Sequence, residues 1–381
     1  MNPSTGGPCQ GIRNSIPELE KLGMQNEVVC LDSAQSDYIA KDSFTIHALG
    51  QAKGPWAYSE ALLPWLLQHI SSYDIVIVHG LWQYHGYAVR KAISQLRKIN
   101  QVLPKVYVMP HGMLDPYFQK AEGRKLKALR NIVYWKLIES KLINQADGIL
   151  FTCQTEMELA KEPFKPYLPK KELNIGYGIQ APPPYKVEMS AAFASLCPEV
   201  KDQPYLLFLS RIHEKKGVDL LVKAYLQLQN EGIDLPHLVI AGPGLETDYG
   251  KQMLELANQS KTIYFPGMLS GHAKWGAFYG CEAFVLPSHQ ENFGIAVVEA
   301  LACAKPVLIS NQVNIWREIH HAQAGLVVDD SEAGTLQLLK NWLKLSIAEQ
   351  KQMGANASAA YKQYYAVEKA AQQMKGILNP T

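Results

Sequence analysis

Ser288-His289-Gln290-Glu291-Asn292-Phe293-Gly294-Ile295-Ala296-Val297-Val298-Glu299-Ala300-Leu301-Ala302-Cys303-Ala304-Lys305-Pro306-Val307 is the stretch on which the reading of this chain turns. A strand ending Val285-Leu286-Pro287-Ser288 runs into it, and Asn292-Phe293-Gly294 leads into a run expected to be helical. A strand, a short loop and a helix opening at a small residue form a ready anion site, because the first helical N–H groups have no partner within the helix. Glu291 in the loop and Glu299, expected about two turns into the helix, are placed to reach two parts of one polar ligand.

The pattern around this stretch repeats. Short β-branched runs such as Ile75–His79, Val106–Pro110, Tyr205–Ser210, His237–Ala241 and Ala283–Pro287 alternate with helical patterns such as Leu62–Ile70, Tyr87–Ile99, Val218–Asn230 and Leu336–Trp342. Most of the runs are apolar on both faces, as in parallel strands covered by helices on both sides. Repeated βα of this kind predicts a doubly wound α/β fold. A chain of 381 residues is too long for one ordinary core, so two domains are expected. Pro182-Pro183-Pro184 and Pro198 interrupt the pattern, because proline clusters end both helix and sheet. The expected division is a first domain over 1–180, a linker over 181–202, a second domain over 203–357 and a terminal amphipathic helix over 358–381.

Composition narrows the function. Hydrophobic residues at 47% and charged residues at 19% describe a globular chain, and the formal charge of +2 argues against a nucleic-acid binder. Basic residues are uneven: eleven Lys or Arg lie between Lys91 and Lys141, against Asp115, Glu122 and Glu139. That stretch is either a solvated helix surface or a contact for an anionic acceptor or a membrane surface. The six cysteines show no Cys-x2-Cys spacing and fit free thiols in a reducing cytoplasm. No apolar run approaches the roughly 18 residues of a membrane span, so any membrane contact is expected to be peripheral.

A second loop carries charge. Ser210-Arg211-Ile212-His213-Glu214-Lys215-Lys216-Gly217 follows the strand Tyr205–Leu209, at the strand end where open α/β sheets bind ligands. Arg211 offers a planar fork and Lys216 a point charge, the two forms of cation that hold a diphosphate. No Asp-x-Asp occurs in the chain, so a metal-clamped diphosphate has no support and no metal is expected. Gly-x-Ser-x-Gly, the hydrolase elbow, is absent as well.

Glu291 to Glu299, with the flanking Pro287-Ser288, Phe293-Gly294 and Lys305-Pro306-Val307, resembles the E-x7-E motif of retaining glycosyltransferases of the GT-B fold, family four. Arg211 and Lys216 resemble that family's Arg-x4-Lys pair, which neutralises the leaving nucleotide diphosphate. The resemblance implies two facing Rossmann-like domains, with the terminal helix crossing back to the first. It implies a retaining, metal-independent transferase using a nucleotide-diphosphate sugar, UDP-glucose first on family frequency. By the same resemblance Glu291 holds sugar hydroxyls and Glu299 ribose hydroxyls, beside Asn292, Phe293 and Gly294. Ala241-Gly242-Pro243-Gly244 resembles the glycine turn near the donor, and Met268 and Leu269 fall where relatives read the base. His111, just past the strand Val106–Pro110, is implied to contact the transferred sugar, and Gly6 and Gly7 to let backbone approach the diphosphate. His79 to His85, with Trp82 and Tyr84, suits an acceptor pocket or ordinary core packing.

The resemblance also marks two departures. Tyr177 in Ile175-Gly-Tyr-Gly-Ile179 stands where many relatives have Asn-Gly. Met1 to Gly7 is like the glycine-rich loop that follows the family's first strand. That strand either lies upstream of a start assigned too late or is absent from the sheet, which would expose strand edges. The variable first domain points to a lipid-linked or polysaccharide acceptor. A nucleotide-sugar epimerase and a non-catalytic sugar-nucleotide binder remain as alternatives.

Overall fold

A computed structural model of the chain describes residues 1–3, 6–121 and 125–378. Residues 122–124 of the basic stretch and 379–381 of the terminal helix lie outside the described residues. The chain divides into two compact units, 1–178 with 367–381 and 179–366.

The first unit holds β1 (Glu27–Cys30) and β2 (Thr45–Ala48), paired in parallel, and a parallel sheet of β3 (Ile75–His79), β4 (Lys105–Met109), β5 (Gly148–Phe151) and β6 (Glu172–Asn174) in that order. β5 is buried along its whole length, as its unbroken apolar sequence requires. β1 and β3 do not pair. They face one another across a cavity of about 540 Å³ that Met1, Ile12, Ile16, Val28, Val76 and Val78 help to line. β1 and β3 thus belong to separate sheets of the first unit. The helix Gly7–Lys21 packs against Val367–Leu378, whose Lys375 ammonium donates to the Leu22 carbonyl at 2.7 Å.

The second unit is a single parallel sheet of β7 (Tyr205–Leu209), β8 (His237–Ala241), β9 (Ile263–Gly267), β10 (Ala283–Leu286), β11 (Val307–Ser310) and β12 (Gly325–Val328). Its spatial order is β12-β11-β10-β7-β8-β9. Chain progress therefore reverses between β7 and β10, and the crevice outside their carboxyl ends is the topological switch point at which such sheets bind ligands. Phe208, Phe278, Phe284, Tyr225 and Trp342 are fully buried around this sheet. Each such side chain contributes about 1.5–3 kcal/mol by leaving water.

The stretch 181–202, expected as a linker, lies inside the second unit. Beyond the prolines it forms a helix, Val187–Leu196, that buries Met189 and Phe193 against the helix Gly271–Gly280. The expected terminal helix likewise begins later than 358. A helix over Ile347–Ala360 and a wider turn over Tyr361–Tyr365 stay with the second unit, and the chain joins the first only at Val367. β2 and β6 are strands not expected from the sequence; both are at most half-buried, and β6 spans only three residues. Among the described residues, no helix is long and apolar enough to cross a membrane.

Candidate active site

In the second unit the loops after β7 and β10 are drawn together by backbone. The His289 N–H donates to the Lys215 carbonyl at 2.9 Å, and the Ser288 hydroxyl donates to the same oxygen at 2.9 Å. Gly217 sits at φ 68°, and a methyl group there would lie 2.0 Å from the Pro287 carbonyl oxygen. Only glycine permits that approach. Gly242, after β8, is equally confined: a methyl group on it would lie 1.8 Å from the Ser210 carbonyl oxygen. The loop carrying Arg211 and Lys216 is thus clamped between two neighbours.

This clamp fixes the charges. The buried Lys216 ammonium donates to Glu291 Oε2 in a close ion pair. Burial works against ionising Glu291, but Lys216 and then Lys215 outweigh it and hold the carboxyl below its ordinary value. Glu291 is also pinned through its main chain, its N–H donating to Gln312 and its carbonyl accepting from Asn314, both at 2.9 Å. Arg211 is exposed at the head of the loop; with burial as the larger cause, its charge helps to lower the pKa of His213. The resemblance implies separate partners for Lys216 and Glu291, a phosphate and a sugar. The structure pairs them with each other.

The helix Ile295–Ala302 opens at Gly294 with no side chain capping it. Asn292 Oδ1 accepts from Asn314 at 3.4 Å, and Phe293 meets the Tyr365 ring edge to face at 5.8 Å. Glu299 stands one turn beyond Ile295, nearer the helix start than the two turns expected, because the helix begins only after Gly294. Its Oε1 pairs with Lys274 at 2.5 Å. Burial raises the Glu299 carboxyl above its ordinary value despite that cation. Lys274 is a residue the sequence reading missed. It stands on the helix Gly271–Gly280, which follows β9 through exposed Met268 and buried Leu269. The pair therefore joins the helix after β9 to the helix after β10. Gly242 belongs to the same edge, its N–H donating to the Gly267 carbonyl at 2.8 Å.

In the first unit a second cluster forms. Gly6, at φ 89°, precedes the helix Gly7–Lys21, and the Gly7 carbonyl accepts a 2.6 Å hydrogen bond from the Tyr177 hydroxyl. Tyr177 is buried and lies edge to face with His111 at 6.3 Å. The His111 ring stacks on His79 and shares a 2.9 Å hydrogen bond with it. Burial, then His79, holds His111 well below the usual imidazole value, and burial, then His85, lowers His79 to about 4. Both rings are neutral at neutral pH and offer hydrogen bonds rather than charge. His111 itself has φ 53°, and the next N–H, of Gly112, donates to buried Glu156 at 2.5 Å. Tyr84 is buried and Trp82 half-buried in an aromatic cluster with Trp56, Tyr134 and Trp135, so most of this region is packing. Among the described residues, no group of three or more His, Cys, Asp or Glu is placed to hold a metal ion.

Comparison with known proteins bears on both units. A family model described as glycosyl transferases group 1 matches residues 197–360, and one described as a glycosyl transferase 4-like domain matches residues 6–166. An uncharacterized glycosyltransferase of Methanocaldococcus jannaschii is 27% identical over 146 residues, which are 37% of this chain and 37% of that one. The matched stretches span roughly a third of the length of the curated relatives. The fold is that of sucrose-phosphate synthase from Thermosynechococcus elongatus (TM-score 0.69, 20% identity, 98% of this chain and 92% of that one). It is equally that of Anabaena HepE, in a structure with UDP and glucose (TM-score 0.72, 16% identity, 99% and 96%).

Proposed function

Because the chain belongs to the group 1 glycosyltransferases of family-four type, we propose that it moves a hexosyl unit from a nucleotide-diphosphate sugar to a lipid-linked or polysaccharide hydroxyl. The observation that carries this reading is the Lys216–Glu291 pair beside the uncapped start of Ile295–Ala302, at the switch point of the second unit. UDP-glucose is the donor to test first; the UDP and glucose of the HepE structure support a uridine nucleotide. The acceptor falls to the first unit. Six free thiols are in keeping with a reducing compartment, and we place the reaction in the cytoplasm.

Lys216 and Arg211 neutralise the leaving diphosphate without a metal ion. An ammonium has three N–H donors, so the one given to Glu291 orients the side chain and leaves the others for phosphate oxygens. The helix start adds roughly half a positive charge. Glu291 receives sugar hydroxyls on its remaining lone pairs, and Glu299, steadied by Lys274, receives the ribose hydroxyls. The bond from the anomeric carbon to the diphosphate oxygen breaks as the acceptor hydroxyl approaches on the same face, through an oxocarbenium-like state. The departing phosphate oxygen takes the acceptor's proton, and configuration is retained.

Proton NMR of the early product from an α-linked donor tests this: an α-linkage is expected, and a β-linkage overturns the mechanism. Epimerised donor in the absence of any acceptor would assign the site to an epimerase instead. Donor binding with no transfer or hydrolysis over many acceptors would assign it to a non-catalytic binder.

A further inference from the structure

The helix Lys125–Tyr134 is turned inside out. It continues through a wider turn, Trp135–Glu139. The face against the first unit is made by Ala128, Asn131, Trp135 and Glu139, of which only Trp135 is a large apolar residue. The opposite face carries the large aliphatic residues: Leu126 is 85% exposed, Leu129 60%, Val133 50% and Leu137 63%, with Ile132 beside them. An amphipathic helix of a globular protein normally turns such a stripe inward.

The charges are arranged around that stripe. On a helical projection Leu126, Leu129 and Val133 fall within about 60° of one another, with Lys125 on one flank and Arg130 and Lys127 on the other. Lys136 follows, and residues 125–138 contain no acidic side chain. Among the described residues, none of Lys125, Lys127, Arg130 and Lys136 pairs with a carboxylate. Long cationic side chains beside an apolar stripe place their ammonium or guanidinium heads at a headgroup layer while the stripe enters the acyl boundary. A protein partner of matching size would need acidic groups on both flanks and an apolar centre. A bilayer with anionic headgroups supplies both at any point of its surface.

We propose that the exposed face of 125–137 docks the first unit onto an anionic lipid bilayer, with Leu126, Leu129, Val133 and Leu137 inserted and the four cations at the headgroups. The surface is separate from the nucleotide-sugar site and stands whether or not the donor assignment holds. It binds peripherally, since the helix is far shorter than a membrane span.

Co-sedimentation of the whole protein with vesicles tests the proposal. Binding is expected to vesicles of phosphatidylcholine with about a third phosphatidylglycerol, to fall steeply with added salt, and to be at least about tenfold weaker to pure phosphatidylcholine. Leu129→Ser with Val133→Ser, both at exposed positions that leave the fold intact, is expected to reduce binding about tenfold or more. Lys127→Gln with Arg130→Gln, which removes two of the four cations, is expected to lower the salt dependence by about half. Equal binding to the two vesicle types, or undiminished binding by the serine variant, overturns the proposal. So does a dimer in solution that the serine variant dissolves, which would make the stripe an interface between two copies of the chain.

Discussion

Three carboxyl groups of this chain, Glu139 buried and Glu291 and Glu299 half-buried, meet three different surroundings, and the differences are measurable. Glu291 is held ionised by Lys216; Glu299 is raised by burial although Lys274 touches it; Glu139 has only the Trp82 N–H, at 2.7 Å, against the cost of burial. Burial, partly offset by that hydrogen bond, pushes Glu139 up to about 7. A carboxyl raised on folding stabilises the native state fully below its unfolded value near 4.5, and loses that contribution as pH rises through the folded value. Glu139→Gln keeps an acceptor for Trp82 and cannot titrate. Urea unfolding at pH 5 and pH 8 should therefore show a loss in the parent that the variant lacks, on the order of 2–3 kcal/mol. Equal pH dependence in the two proteins would remove Glu139 as the cause. At Glu299 the expectation concerns ligand: Glu299→Ala should weaken UDP about ten- to hundredfold by calorimetry, the worth of one charge-assisted hydrogen bond. Unchanged affinity in the folded variant would end the ribose assignment.

At the scale of elements, the site depends on loops that touch without side chains between them. Gly217 is the clearest case, with positive φ and the Pro287 carbonyl where a methyl group would go. Gly217→Ala should destabilise the protein by at least about 2 kcal/mol, from the left-handed backbone and the forced separation of the loops. Denaturant unfolding checks this, and a loss below 0.5 kcal/mol, within what neutral surface changes give, would mean that the loops are not clamped. The same contacts explain what was legible in the sequence. The segment from Ser288 to Val307 could be read because its strand, loop and helix are contiguous, so periodicity and a small residue at the helix start suffice. Lys274 could not be read, because it meets Glu299 only after an intervening strand and loop have folded back. β6 was missed because three residues are too few for a strand pattern to show.

For the whole molecule, the doubly wound architecture was legible from alternating apolar runs, and the end of the first domain, expected at 180, falls at Gly178. The extent of the linker and the return of the chain at Val367 were not legible. Pro182 to Pro184 do interrupt the pattern, but Met189 and Phe193 beyond them find a buried place on Gly271–Gly280 and draw the segment into the second unit. Tyr361 and Tyr365 are likewise held in the second unit, where the Tyr361 hydroxyl donates to the Ile179 carbonyl at 2.9 Å. The chain leaves that unit at Val367, where Gly178 meets it so closely that a methyl group would lie 2.5 Å from its Cα. Tertiary packing of a few large side chains assigns both segments to the second unit, and such packing has no local signature.

The account rests on a diphosphate site built from protein cations at the switch point of the second unit. Calorimetric titration of UDP into the whole protein in EDTA tests it most directly, with Arg211→Ala and Lys216→Met beside the parent. The parent should bind without divalent metal, and each variant should bind at least about tenfold more weakly, from the loss of a charged hydrogen bond. Binding that requires an added divalent cation, or variants that bind UDP as the parent does, would contradict it.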